Sequence, residues 1–284
     1  MRALTKSSTP FVFIAICIFP LKLARVVATP IAAKQRSRDS LDTARIPRVI
    51  NKFFFQHSGE LVNLSSHEKW REAHTTWTKR NPGYRLRYWS VDDARLHLTS
   101  RHPPIYLRTF ECLRAYSNKA DFFRYVLLHD EGGWYSDWKQ VCLKVGLLDS
   151  LMATGKLDFF FFDEGAGVKL KNRSRVQNAF FGVEKNNLFL KRAIQRTIKN
   201  TKKKLYAYPT VLHVSGPGLL GNVYAHEQHR TNISEDDYYF GNYFYHRNER
   251  VVQHKCDACT KNQDWAHGNN YNTLWNRKKF YCEK

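Results

Sequence analysis

Apolar and polar positions from Ile46 onward switch between strand-like and helix-like periods. Val49, Ile50 and Phe53 to Phe55 form a nearly continuous apolar run, as expected of a strand buried on both faces. Ser65-x-x-Glu68 has the form of a capping box and opens a helix running to about Arg80, after which Pro82-Gly83 turns the chain. Tyr84 to Trp89 alternates as a second strand, and Ser90-x-x-Asp93 starts a helix that Pro103-Pro104 breaks. This β-α-β-α order predicts an α/β fold: a mostly parallel, Rossmann-like sheet flanked by helices.

The stretch from Asn118 to Cys142 follows the same logic. Ser117 or Asn118 can cap a helix whose apolar face is Ala120, Phe123, Leu127 and Leu128. Gly132-Gly133 ends it, and Trp134, Tyr135 and Trp138 favour a strand. Asp137 then falls at a strand's C-terminal end, where open α/β sheets bind ligands. Asp121 and Arg124, three apart, point to one side of the helix. In a cleft such a pair bonds a ribose hydroxyl; on a surface it is an ordinary ion pair. Further on, Phe159 to Phe162 reads as a strand ending at Asp163-Glu164, and Asn178 to Val183 as another, with Asn178 able to bond a sugar. Asn187 starts a basic helix, and Ser215-Gly216-Pro217 opens the next, whose first N–H groups either meet phosphate or, as is more common at a helix start, are simply capped.

Composition narrows the partners. The 284 residues, 43% hydrophobic, suffice for one sizeable core. A net charge of +21 favours anionic partners, with basic residues gathered at Lys169, Lys171, Arg173 and Arg175 and from Lys191 to Lys204. The aromatics lie in strand-like blocks rather than on base-stacking platforms, which argues against nucleic acid. Residues 1–28, with the apolar run Phe11 to Pro20, read as a signal peptide or a signal anchor holding the chain on a membrane. Residues 29–45 read as a stem, and 46–284 as a single catalytic domain. Either form of the leader sends the chain into the secretory pathway, and sequons at Asn63, Asn172 and Asn232 agree. Outside the leader there are Cys112, Cys142, Cys256, Cys259 and Cys282. With His254 and His267 nearby, Cys256-x-x-Cys259 raises zinc, but an oxidising lumen favours disulfides and leaves one thiol over.

Lys119-Ala120-Asp121-x-x-Arg124-Tyr125 followed by Gly132-Gly133-Trp134-Tyr135-x-Asp137 resembles the core of the Asp-x-Asp glycosyltransferases of family thirty-two, which include Golgi mannosyltransferases. Ile46 to Ile50, Trp77, Asn81-Pro82-Gly83-Tyr84, Gly216-Pro217 and the segment His267 to Trp275 are similar in the same order. The resemblance implies an A-type glycosyltransferase fold in the Golgi lumen. It implies transfer, with retention, from a nucleoside-diphosphate sugar to a glycan or glycoconjugate acceptor, which the basic charge suggests is acidic. It implies Mn2+ or another divalent cation held by Asp137 and His267, donor contacts from Asp121, Arg124, Tyr135, Asn178 and Trp275, and catalytic roles for Asp137 and the residue two positions on.

That residue is Lys139, where the family has its second aspartate. A strand has period two, so Asp137 and Lys139 face the same side. A divalent ion and an ammonium 4 Å apart repel by about 8 kcal/mol at an effective dielectric near 20. Lys139 therefore bends away or meets the diphosphate itself. The alternative is a non-catalytic glycan- or polyanion-binding descendant of the same fold.

Overall fold

The computed structural model describes residues 46–56, 58, 63–164, 175–207, 210–227, 231, 233–256, 259 and 269–283. The leader, the stem, His267 and the sequons at Asn172 and Asn232 lie outside the described residues. No helix among the described residues is long and apolar enough to cross a membrane.

Strand β1, Val49–Phe53, is followed by helix α1, Glu68–Arg80, and β2, Arg85–Trp89. Helix α2, Val91–Arg101, begins with the expected capping box: Ser90 and Asp93 each bond the other's backbone N–H. The Ser65 box does not form. Asn63 caps a short 3-10 turn over Leu64–Ser66, and α1 starts after His67 without a side-chain cap. Helix α3, Pro104–Cys112, carries proline in its first turn and leads into α4, Tyr116–Glu131. Neither Ser117 nor Asn118 caps α4. The helix follows Ala115, and the Tyr116 N–H is satisfied by Asn269 Oδ1 at 2.7 Å, from the far end of the chain.

Phe122, Phe123, Tyr125, Val126, Leu127 and Leu128 are fully buried, so α4 is apolar over more than one stripe, as a central helix must be. Gly132 ends it at φ +69°, and a Cβ there would lie 2.8 Å from the Lys185 backbone nitrogen. Strands β3, Gly133–Ser136, and β4, Val141–Cys142, come next, then helix α5, Leu147–Met152, and strands β5, Asp158–Asp163, and β6, Val176–Val183. Helices α6, Leu188–Lys203, and α7, Pro217–Glu227, follow. A meander of β7, Asp237–Phe240, β8, Tyr243–His246, and β9, Glu249–Gln253, precedes α8, Tyr271–Asn276.

The strands form one open sheet of order β2-β1-β3-β6-β5-β7-β8-β9-β4. The parallel order read from the sequence holds for β2, β1 and β3. Beyond β3 the sheet is mixed: β5 pairs β7 in parallel, and the other pairings are antiparallel. Alternate residues of β5 serve two cores. Phe160 and Phe162 join the cluster beneath α2, α3, α4, α6 and α7, while Phe159 and Phe161 join Trp77, Trp134, Phe180 and Phe244 on the other face. Burial on both faces explains why these strands read as continuous apolar runs.

Among the described residues, disulfides join Cys112 to Cys282 and Cys256 to Cys259, and Cys142 is a free, buried thiol. The odd cysteine is thus a core residue.

Candidate active site

Strand β3 stops at Ser136. The Asp137 N–H still bonds Ala179 O at 2.9 Å, but the Gln140 N–H folds back to Asp137 O at 3.2 Å. Asp137 to Gln140 is therefore a turn, and the expectation that Asp137 and Lys139 share one face of a strand does not hold. Lys52 of β1 fixes this turn from below: its Nζ donates to Asp137 O and to Ser136 Oγ, both at 2.9 Å. Ser136 Oγ donates in turn to Gln140 Oε1 at 2.9 Å. Burial pushes the Lys52 pKa down to about 7, against the pull of Asp137.

Asp137 Oδ1 accepts from Tyr135 Oη at 2.6 Å and from Arg124 Nη1 at 3.2 Å. Arg124 lies over the Tyr135 ring, 4.1 Å from its centroid, and also donates to Asn178 O at 2.6 Å. Its Nη2 pairs with Asp121 Oδ1 at 3.2 Å. Asp121 accepts from Asn178 Nδ2 at 2.9 Å and from Ser215 Oγ at 3.2 Å. Burial pushes its carboxyl up to about 6, with Arg124 opposing. One network thus brings Asp121, Arg124, Tyr135, Asp137 and Asn178 together. Of the two alternatives, cleft pair and surface pair, the structure has the cleft pair, since the Arg124 side chain is only 6% exposed.

Two cavities meet at this network. One, about 290 Å³, has aromatic walls from Phe53, Phe54, Phe55, Tyr116 and Trp138, with Lys139 on its rim. The other, about 270 Å³, is the more polar of the two, lined by Asn118, Asp121, Gln177 and Asn178 together with Pro217 and Tyr271. Ser117, Arg124, Asp137, His254 and Lys255 line both. The cleft opens beyond the C-terminal ends of β1 and β3, where α/β sheets place ligands. A larger cavity of about 580 Å³ lies between α6 and α7, lined by Arg192, Arg196, Lys199 and Lys203. It contains none of the network residues, so the smaller pair of cavities is the candidate site.

His254 and Lys255 were not placed at the cleft by sequence reasoning. They follow β9, which pairs with β4 just past the Asp137 turn, and Cys256 N–H bonds Lys139 O at 3.1 Å. His254 Nδ1 lies 3.2 Å from Gln140 Nε2. Burial holds the imidazole below its ordinary pKa, against the pull of Asp137. Lys139 is half-buried, and burial together with the Lys255 ammonium lowers its pKa. Trp275 packs on Tyr206, 4.9 Å between ring centroids, and on Phe280, and does not line the cleft; Tyr271, one turn earlier on α8, does.

The donor set tests whether a divalent cation fits. Among the described residues the cleft offers two carboxylates, Asp121 and Asp137, both paired with Arg124, and one imidazole, beside Arg124, Lys139 and Lys255. Hard cations take several oxygen ligands. Two carboxylates already held by Arg124, among three cationic side chains, fit such an ion poorly and fit an anionic ligand well.

Residues 67–156 match the family described as a glycosyltransferase sugar-binding region containing a DXD motif. The chain is 30% identical over 172 residues to an uncharacterized glycosyltransferase of Acanthamoeba polyphaga mimivirus, covering 57% of this chain and 63% of the relative. It is 23% identical over 186 residues to inositol phosphoceramide mannosyltransferase 3 of Schizosaccharomyces pombe, covering 66% of this chain and 47% of the relative. The chain thus spans between about half and just under two thirds of these relatives' lengths. Among solved structures, the PaToxG glycosyltransferase is similar with a TM-score of 0.41 and 15% identity, over 69% of this chain and 76% of that one. The proteins and the family that this chain is similar to are glycosyltransferases, and the matched segment contains Asp121, Arg124, Tyr135, Asp137 and Lys139, the residues that build the cleft.

Proposed function

We propose that this protein is a retaining glycosyltransferase that moves a sugar from a nucleoside-diphosphate sugar to a glycan or glycoconjugate acceptor in the secretory pathway. The observation that carries the reading is the Asp121–Arg124–Asp137–Asn178 network at the junction of an aromatic and a polar cavity. The base stacks between the aromatic walls. The sugar hydroxyls meet Asp121 and Asn178, and the diphosphate lies between, against Arg124, Lys255 and His254, with Lys139 reaching it from the rim. The C1–O bond to the diphosphate breaks with its electrons on the leaving oxygen, the acceptor oxygen bonds C1, and the acceptor proton passes to the departing diphosphate. Fixed cations aimed at that developing charge lower the barrier. Lys139 and Lys255 supply positive charge where the resemblance implies a divalent ion, so no step here is routed through a metal. Two disulfides suit an oxidising Golgi lumen. The positive charge suits an acidic acceptor, and one relative's name specifies inositol phosphoceramide.

The test is thermal stability of the full chain against nucleoside diphosphates and their sugars, each with manganese and with chelator. Binding at a hundred times the dissociation constant stabilises by about 2.7 kcal/mol. The reading expects a shift for one nucleotide that survives chelation, and sugar transfer that Asp137→Ala abolishes while the fold persists. A shift that needs manganese would return the charge role to a metal. No shift and no transfer would leave the non-catalytic glycan-binding reading, which Lys139 favours.

A further inference from the structure

Helix α4 lines the cleft with its first turns, and its last turn carries a second cluster. Asp130 lies nine residues beyond Asp121, about 13 Å along the helix axis. There it meets His97 of α2 and His102, the residue that follows α2. Both imidazoles approach the same carboxylate oxygen: His97 Nε2 is 2.8 Å and His102 Nε2 2.7 Å from Asp130 Oδ2. One ligand atom from each of the three lies within 4.8 Å of the other two. The His97, His102 and Asp130 side chains are 4%, 12% and 17% exposed, so water competes weakly for these atoms.

Each short N···O gap is spanned either by the N–H of an imidazole tautomer or by a metal ion. Both imidazoles converge on one carboxylate oxygen, which brings all three ligand atoms to one point. In four-coordinate zinc, ligand bonds of about 2.0–2.1 Å put neighbouring ligand atoms about 3.3 Å apart. The gaps seen here need open by only about 0.5 Å to accept it.

The rings are already fixed. His97 stands edge-on to Trp89 and Phe123, with centroids 5.7 and 5.6 Å away. His102 stacks on Tyr106 at 4.4 Å. Behind His97, Nδ1 faces Glu131 Oε1 at 4.0 Å, and Arg101 holds that same oxygen at 3.0 Å. Two imidazoles and one carboxylate suit zinc better than magnesium or calcium, which take oxygen.

We infer that His97, His102 and Asp130 form a zinc-class metal site, with solvent as the fourth ligand, that clips the end of α2 to the last turn of α4. The site is separate from the cleft and stands whether or not the transferase reading does.

The test uses the untagged full-length protein, stripped with chelator and then titrated with zinc and, separately, with cobalt(II). The expected result is one tightly bound equivalent of zinc, the visible bands of four-coordinate cobalt, and a zinc-dependent rise in melting temperature. His102→Ala and Asp130→Asn should weaken zinc by at least about tenfold and lose the cobalt bands. Asp137→Ala should keep both, which separates this site from the cleft. Circular dichroism and a melt in chelator establish that each variant folds. The inference is overturned if folded wild type shows no cobalt bands, in which case protons bridge the gaps, or if the bands survive both His102→Ala and Asp130→Asn.

Discussion

Lys52 carries an amine into the interior beneath the Asp137 turn, and its side chain is wholly buried. In the sequence it interrupts the apolar run of β1 and reads as one polar residue on a strand; nothing local shows that Asp137 O and Ser136 Oγ wait above it. Its pKa falls from 10.5 to about 7, chiefly because burial disfavours the charged form. Between those values the unfolded chain holds a proton that the folded chain has shed. Stability therefore rises with pH across the window, by up to about 1.4 kcal/mol per pH unit, and falls as pH drops toward the folded pKa. Lys52→Met keeps the length and removes the titration, so its urea midpoints at pH 7 and pH 9 should lie closer together than those of wild type. An unchanged difference would place the titration elsewhere. Lys139 gives a second test at this scale. Lys139→Asp recreates two carboxylates two residues apart and removes one of the cations that oppose a metal. We expect nucleotide binding by this variant to become manganese-dependent, measured as a melting shift lost on chelation. If the variant stays indifferent to manganese, the turn holds position 139 out of reach of the ion.

Local signals served the elements unevenly, and the reason is range. The Ser90 capping box, the Asn187 cap and the Gly132 stop formed as read, because every partner lies within a few residues. The Ser65 box and the Ser117 cap did not form. The second was displaced by Asn269, whose distance in sequence no window can span. Trp138 looks strand-like by propensity, yet its ring packs with Phe54, Trp70, His74 and Tyr88 from a turn. The β7–β9 meander brings His254 to the cleft, and only its pairing with β4 reveals that. The cleft's α4 and β3 half was thus legible from one contiguous stretch, and its β9 half was not. Between β3 and β6 the fit is close enough to test. A Cβ on Gly182 would stand 2.4 Å from Cε3 of Trp134, a ring that is fully buried and has no room to move. Overpacking of this kind costs about 1–3 kcal/mol. Gly182→Ala should lower the urea midpoint accordingly, and because β3 leads directly into Asp137 it should also reduce nucleotide affinity. A variant with wild-type stability would mean that β3 and β6 can part without loss.

At the scale of the whole chain, the C-terminal segment is fastened onto the helical face of the sheet. Tyr281 forms a bridge with Leu113, Arg114 N–H bonds Phe280 O at 3.0 Å, and Lys204 Nζ bonds Cys282 O at 2.7 Å. Phe280 is fully buried, so the segment adds to the core as well as closing it. The Cys112–Cys282 disulfide spans 170 residues, whereas Cys256–Cys259 spans three. A crosslink stabilises largely by shrinking the unfolded ensemble, and the effect grows with the loop it closes. For the long bridge that amounts to about 2–5 kcal/mol, and for the short one to much less. Cys282→Ser should therefore lower unfolding free energy by that amount, and reductant should have little further effect on the variant. Cys259→Ser should move stability less, but it loosens the segment whose Cys256 N–H bonds Lys139 O, so its larger effect should fall on nucleotide binding. Urea unfolding with and without reductant, paired with nucleotide-dependent melting shifts, separates the two. If Cys259→Ser destabilises as much as Cys282→Ser, loop length does not govern these crosslinks and native contacts around Cys259 do.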